Sequence, residues 1–290
     1  MTNRNKVPTL ARTWELPPQV KTRLVNGYEM AYLERGTGIP VILVHGSVSD
    51  YRYWITQLRP FSERYRAISV SLRHCYPEPW DGTGDDFSIH QHLEDLSEFI
   101  TSLHAGPVHL VAHSYGADVA LLLATVHSGL LRSMVLAEPA PLAHLLPATP
   151  EAAEEVKLNR IIFKTALECL QRGDLEGGVK TFMDGVTGPG TWDGIPEGKK
   201  YIFLDNAWSL KCLFVDTEEP IQCADVGKID VPVLLIDGEK SARVYKMMME
   251  GIQRCIKHHE RVIIPDAAHA MNHANPQAFN AAVLDFLAKH

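Results

Sequence analysis

The 290-residue chain has no apolar stretch approaching the roughly 20 residues of a membrane-spanning helix, which argues against a helical membrane protein. It also has no excess of positive charge. Lys and Arg number 28 against 35 Asp and Glu, a formal net charge of −7, so nothing electrostatic points to nucleic acid or to an anionic bilayer as partner. Cysteine is scarce: Cys75, Cys169, Cys212, Cys223 and Cys255 are scattered, odd in number and without a CxxC pair. That pattern fits no disulfide framework and predicts free thiols in a reducing compartment. His90 and His92 form an HxH and His258 with His259 a pair, but no Cys or carboxylate lies at ligand spacing, so no metal site is expected. The phosphate-cradling G-x-G-x-x-G and P-loop patterns are absent, hence no cofactor is expected, and no internal repeat is visible. Residues 1–20 include Arg4, Lys6 and Arg12 but no apolar h-region, and the expected location is the cytoplasm.

What is present is an ordinary globular composition, 46% hydrophobic and 22% charged, with a regular alternation of elements. Residues 19–35 alternate polar and apolar around Asn26-Gly27, a hairpin signal. Apolar runs predicting strands follow at 40–44, 67–72, 108–112 and 133–137. Helices are predicted between them at 53–62, 88–103, where Ser88 is the candidate N-cap, and 115–127. Alternation of this kind implies an α/β fold, a mostly parallel sheet with helices on both faces. From 139 to 230 the strand signal vanishes and helix-like stretches such as 151–172 and 199–213 replace it. Strands return at 231–236 and 261–264, with helices at 247–256 and 276–288. The expected organisation is therefore a core domain of 1–138 and 231–290 bracketing a helical cap at 139–230.

The chemistry-bearing segment is Ala112-His113-Ser114-Tyr115-Gly116. Serines cap helices often. Here, however, a buried-type strand runs directly into a helix with Ser114 at the junction, in the middle of the alternating pattern. That is the context of a G-x-S-x-G nucleophile elbow, with Ala112 in place of the first glycine. A serine hydroxyl needs a neighbouring base, normally a histidine held in one tautomer by a carboxylate. Of the 14 histidines, His269 sits after the last strand in a loop of small residues, and His273 is the alternative.

On these residues, together with His45-Gly46, Asp237-Gly238-Glu239 and Ala268-His269 followed by Pro276, the chain resembles the α/β-hydrolase superfamily over nearly all its length outside the cap. The resemblance implies that the backbone N–H groups of Ser47 and Tyr115 receive the oxyanion. Where the family usually carries its acid, this chain has Gly238-Glu239-Lys240-Ser241, and serine cannot be the charge partner of an imidazolium. A variant of the family, seen in some dehalogenases and lactone hydrolases, carries the acid one strand earlier, which maps onto Glu138. Asp237 and Glu239 remain alternatives.

The cap holds Phe163, Phe182, Met183, Trp192, Phe203, Trp208 and Phe214. A lid of this kind suggests an apolar or aromatic acyl substrate, with His45, Trp192 and Trp208 expected to contact it. The expected function is a serine hydrolase of esters or lactones acting through an acyl-enzyme on Ser114. A carbon–carbon bond hydrolase, or a slow-turnover ligand receptor on the same scaffold, stands as the alternative. The expected partner is a small-molecule substrate, with neither nucleic acid nor membrane involved, and the sequence is compatible with a homodimer.

Overall fold

A computed structural model of the protein describes residues 19–84, 86–214 and 221–290, without the side chains of 212–214. Strands β1 (Lys21–Val25) and β2 (Tyr28–Arg35) form the expected hairpin. Its Asn26 and Gly27 take φ of +44° and +77°, the pair of left-handed residues that a two-residue turn of matching twist requires. Then come β3 (Pro40–Val44), α1 (Ile55–Ser62), β4 (Arg66–Val70), α2 (Ile89–Ser102), β5 (Val108–His113), α3 (Tyr115–Val126) and β6 (Leu131–Ala137). Ser88 caps α2, its side chain accepting from the Gln91 N–H.

The described residues build an eight-stranded sheet in the order β1-β2-β4-β3-β5-β6-β7-β8, where β7 is Val233–Gly238 and β8 is His259–Ile264. β2 runs antiparallel to both its neighbours, and every pairing from β4 onward is parallel. The continuous apolar runs divide by residue parity. Ile42, Val44, Leu110, Ala112, Met134 and Leu136 pack on one face with α2, α3 and α9 (Arg243–Cys255). Val41, Leu43, Val111, Val135 and Ala137 pack on the other with α1 and α11 (Pro276–Leu287). Strands buried on both faces have no polar side to show, which is why alternation is missing from their sequences.

Between β6 and β7 lie α4 (Pro150–Gln171), α5 (Leu175–Thr187), α6 (Thr191–Gly194), α7 (Glu197–Leu204), a 3₁₀ stretch Ala207–Phe214 and α8 (Cys223–Val226); α10 is Met271–Ala274. These inserted helices have their own apolar core, including Ala166, Leu170, Val179, Phe182, Trp192 and Leu210. The single helix expected over 199–213 is two elements with a turn at Asp205 and Asn206. No helix among the described residues is long and apolar enough to cross a membrane.

The cysteine expectation requires correction. Cys223 and Cys255, 32 residues apart, form a disulfide joining α8 to the end of α9. Cys75 and Cys169 are buried outside any disulfide, and the Cys212 side chain lies outside the described residues. The inference of a reducing compartment loses its cysteine argument accordingly. Alkylation of the unfolded chain without reductant should leave Cys223 and Cys255 unlabelled, and reduction should make both reactive. Closing a loop of this length restrains the unfolded chain by about 3–4 kcal/mol on the chain-entropy account, so Cys223→Ser should lower Tm by several degrees.

Candidate active site

The parallel strands deliver their C-terminal ends to one edge of the sheet, where open α/β sheets collect their functional groups. β5 ends at His113, and Ser114 follows with φ +53° and ψ −128° before α3 begins. That sharp turn lifts the Ser114 side chain out of the strand while its N–H stays bonded to the Ala137 carbonyl at 3.0 Å. Crowding at the turn explains Gly116, two residues after the serine, and Gly46 in the loop after β3 that faces it. A Cβ on Gly116 would collide with the His45 carbonyl, and one on Gly46 would come within 2.8 Å of Ser114 Cβ.

β6 ends one residue before Glu138, which is fully buried and takes φ +41°. Its Oε1 accepts from the Gly238 N–H at 2.8 Å, and its Oε2 accepts from His269 Nδ1 at 2.8 Å. A carboxylate only accepts, so His269 carries its proton on Nδ1 and leaves the lone pair on Nε2, which lies 3.0 Å from Ser114 Oγ. The serine O–H therefore donates into the ring. Ser114, Glu138 and His269 thus form one hydrogen-bonded chain, with all three residues buried.

The remaining candidates for base and acid stand apart from it. His273 packs edge-on against Tyr53, and burial pushes its pKa down to about 4. Asp237 is ion-paired with Arg261, and Glu239 is exposed and accepts from the Asp266 N–H. Ser241, where the resemblance would place the usual acid, is buried beside Gly238.

His269 is held by groups that its sequence context did not reveal. The Tyr245 ring, from α9, stacks on it at 4.1 Å and 18°. His113 donates from Nε2 to the His269 carbonyl at 2.7 Å, since a carbonyl can only accept. Burial and the neighbouring His269 keep the His113 ring neutral.

The loop after β3 places Ser47 in the cavity wall and turns His45 away from it. His45 is fully buried, with Nε2 accepting from the Leu72 N–H at 3.0 Å and Nδ1 donating to the Gly46 carbonyl at 2.7 Å. In a trans peptide the carbonyl and the N–H point opposite ways, so fixing the Gly46 C=O aims the Ser47 N–H away from the His45 ring. Tyr115, at the start of α3, has its hydroxyl bonded to His92 Nδ1 at 2.8 Å. His90 is exposed, so the two histidines of the HxH face opposite environments.

A cavity of about 60 Å³, partly open to solvent, lies over Ser114 and His269. Its far wall is Phe182, Met183, Val186 and Thr187 of α5 with Phe203 of α7, and among the described residues no Lys, Arg, Asp or Glu lines it. The substrate residues expected from the sequence are corrected here. His45 orients a backbone peptide and is not part of the lining. Trp192 is buried within the inserted helices, its indole N–H donating to Glu176 at 3.2 Å. Trp208 covers Gly82, where a Cβ would come within 2.5 Å of its ring. The lining residues of α5, 182, 183, 186 and 187, fall on one helix face at a spacing equally suited to a packed core, and Val179 one turn earlier is in that core, so the sequence alone could not separate wall from interior.

Comparison with known proteins agrees with this fold. The sequence model of the alpha/beta hydrolase family matches residues 41–282, and the chain belongs to that family. It is similar to (E)-2-((N-methylformamido)methylene)succinate hydrolase of Acinetobacter baylyi, 23% identical over 273 residues that cover 91% of this chain and 96% of that protein. It is 26% identical over 288 residues to non-heme chloroperoxidase CPO-A1 of Kitasatospora aureofaciens, covering 91% and 98% of the two chains. Among solved structures, a thermophilic esterase from Thermogutta terrifontis superposes with a TM-score of 0.73 at 22% identity, covering 93% of this chain and 98% of that one.

Buried neutral histidines make the fold sensitive to acid. Burial lowers His92 to about 3 and His109 to about 4, and it also lowers His45 and His113. A ring that takes up its proton only on unfolding stabilises the fold fully above its unfolded pKa near 6.5, and that contribution falls as pH drops toward the folded value. Each such ring weakens the fold by up to about 1.4 kcal/mol per pH unit in this window. Burial raises the Asp118 carboxyl, which acts in the opposite sense and damps the loss. Tm should therefore fall between pH 7 and pH 5, and a Tm constant over that range would contradict the buried neutral rings.

Proposed function

We propose that the protein is a serine hydrolase that cleaves a small to medium, apolar or aromatic carboxylic ester or lactone through an acyl-enzyme on Ser114. The reading rests on one observation: Ser114 Oγ, His269 Nε2, His269 Nδ1 and Glu138 Oε2 lie in a single hydrogen-bonded line at 3.0 and 2.8 Å. As Ser114 attacks the carbonyl carbon, His269 takes the hydroxyl proton and Glu138 stabilises the imidazolium that forms. The backbone N–H groups of Ser47 and Tyr115 receive the developing oxyanion, each such donor contributing roughly 2.7–4 kcal/mol. His269 then passes the proton to the leaving alkoxide. In the second half, water gives a proton to His269 and attacks the acyl carbon; the acyl–Oγ bond then breaks, His269 returns that proton to Ser114 Oγ, and the acid is released.

The apolar wall without charged side chains favours a neutral acyl group over a dicarboxylate, because a buried unpaired carboxylate would have no cation to meet. The esterase of similar fold is consistent with this assignment. The test is direct. A quenched reaction with p-nitrophenyl butyrate should show a burst of p-nitrophenol, and mass spectrometry should find a butyryl group on the peptide containing Ser114. If a panel of aryl esters and lactones gives neither turnover nor adduct, the proposal is wrong.

A further inference from the structure

The turn at Asp205 and Asn206, together with the 3₁₀ stretch as far as Lys211, grips the core loops flanking the site. Ser209 Oγ accepts from the Val48 N–H at 2.7 Å, with both residues buried. Asn206 Nδ2 donates to Asp50 at 2.6 Å while its Oδ1 accepts from the Tyr76 N–H at 2.7 Å. Arg52, paired with Asp50 of its own loop, bridges to Asp205 at 2.9 Å. Lys211 Nζ donates to the carbonyls of Gly82 and Gly84 at 2.7 and 3.0 Å.

The Ser209 bond falls at a sensitive point. Val48 takes φ +50°, a region that a β-branched residue seldom occupies without something to hold it there. Ser47 lies between two peptide planes. The plane before it is fixed by His45 through the Gly46 carbonyl, and the plane after it by Ser209 through the Val48 N–H. The Ser47 N–H lies in the first plane, so Ser209 acts on it indirectly: release of the second plane lets Val48 relax from its positive φ toward an ordinary backbone conformation, which pulls Ser47 against the His45 bond and shifts that N–H.

We propose that Ser209 is a positioning residue for oxyanion binding, so that the inserted helices complete the transition-state site through the backbone of the core loop as well as roofing the cavity. The inference rests on the reading of Ser47 as an oxyanion donor given under Proposed function.

The test uses the full chain with p-nitrophenyl butyrate as substrate and an alkyl trifluoromethyl ketone as inhibitor. The hemiketal oxygen of that inhibitor occupies the oxyanion position. Ser209→Ala should lower kcat about tenfold with KM within twofold of wild type, the scale of one hydrogen bond acting in the transition state. The inhibition constant for the ketone should rise by the same factor, and Ser209→Thr, which keeps the hydroxyl, should restore both. Ser209→Cys keeps the volume with a weak acceptor and should behave like Ser209→Ala, which covers the case in which the alanine variant fails to fold. Unchanged kcat and ketone affinity in folded Ser209→Ala or Ser209→Cys would overturn the proposal, as would a rise in KM alone. If wild type hydrolyses the ester and Ser114→Ala does not, such a result removes only the role of Ser209; absence of Ser114-dependent turnover removes both readings.

Discussion

Ser114→Ala should lower kcat for an aryl ester by on the order of a millionfold while leaving the fold and KM nearly unchanged, the loss known for nucleophile removal in serine triads. The size follows from what the substitution removes. His269 Nε2 has Ser114 Oγ as its hydrogen-bond partner in the cavity, so alanine leaves a base with no hydroxyl to activate. The oxyanion donors and the apolar wall are untouched, and they sustain the residual catalysis over water that triad knockouts retain. His269→Ala should cost a similar factor, and the double variant little more than either, because nucleophile and base act as one unit. Folding should be nearly indifferent, since the Ser114 N–H bond to the Ala137 carbonyl is a backbone bond that survives the change. The measurement is kcat and KM for p-nitrophenyl butyrate alongside a thermal melt. An active Ser114→Ala with intact KM would sink the serine mechanism and return the site to a binding role.

How far the sequence reached depends on which property each residue advertises. The sheet was legible because strands buried on both faces must be apolar throughout, and helices must separate parallel strands. Asn26-Gly27 was legible because few residue pairs tolerate two consecutive left-handed positions. Ser114 and His269, which the structure brings within hydrogen-bond distance, are singled out in the sequence by position, each following the end of a strand. Direction was hidden. His45 reads as a candidate contact because it abuts the glycine loop, yet its ring turns back to hold a peptide plane. Trp192 and Trp208 read as pocket aromatics, but whether an aromatic faces a cavity or a helical interior depends on tertiary packing that no local pattern encodes. The Cys223–Cys255 bond joins residues 32 apart in chains of ordinary composition, and an odd cysteine count said nothing about that pair. The hydroxyl of Ser209, 161 residues from Val48 in sequence, has no signature at all until the inserted helices dock.

Glu138→Gln should lower kcat by about 10⁴, the loss seen when a triad acid is replaced by its amide. Here the reason lies in the second bond of that carboxylate. Glu138 accepts on both oxygens, from the Gly238 N–H and from His269 Nδ1. A glutamine has one acceptor and one donor for these two positions. With its oxygen toward Gly238, the NH₂ faces His269 and forces the proton onto Nε2, where the ring can no longer take the Ser114 proton. With its oxygen toward His269, the NH₂ is driven against a buried backbone N–H, leaving two donors face to face at a cost of about 1–3 kcal/mol. The first arrangement preserves every buried hydrogen bond and is the catalytically dead one. Glu138→Asp should fare differently, because it keeps the charge and both acceptors but is shorter by one methylene, and it should retain more activity than the isosteric glutamine. Neither Asp237, paired with Arg261, nor exposed Glu239 is placed to take over. The comparison of kcat for the two variants therefore separates charge and tautomer from shape: an amide variant more active than the aspartate would show that geometry alone, without the carboxylate, sustains the reaction.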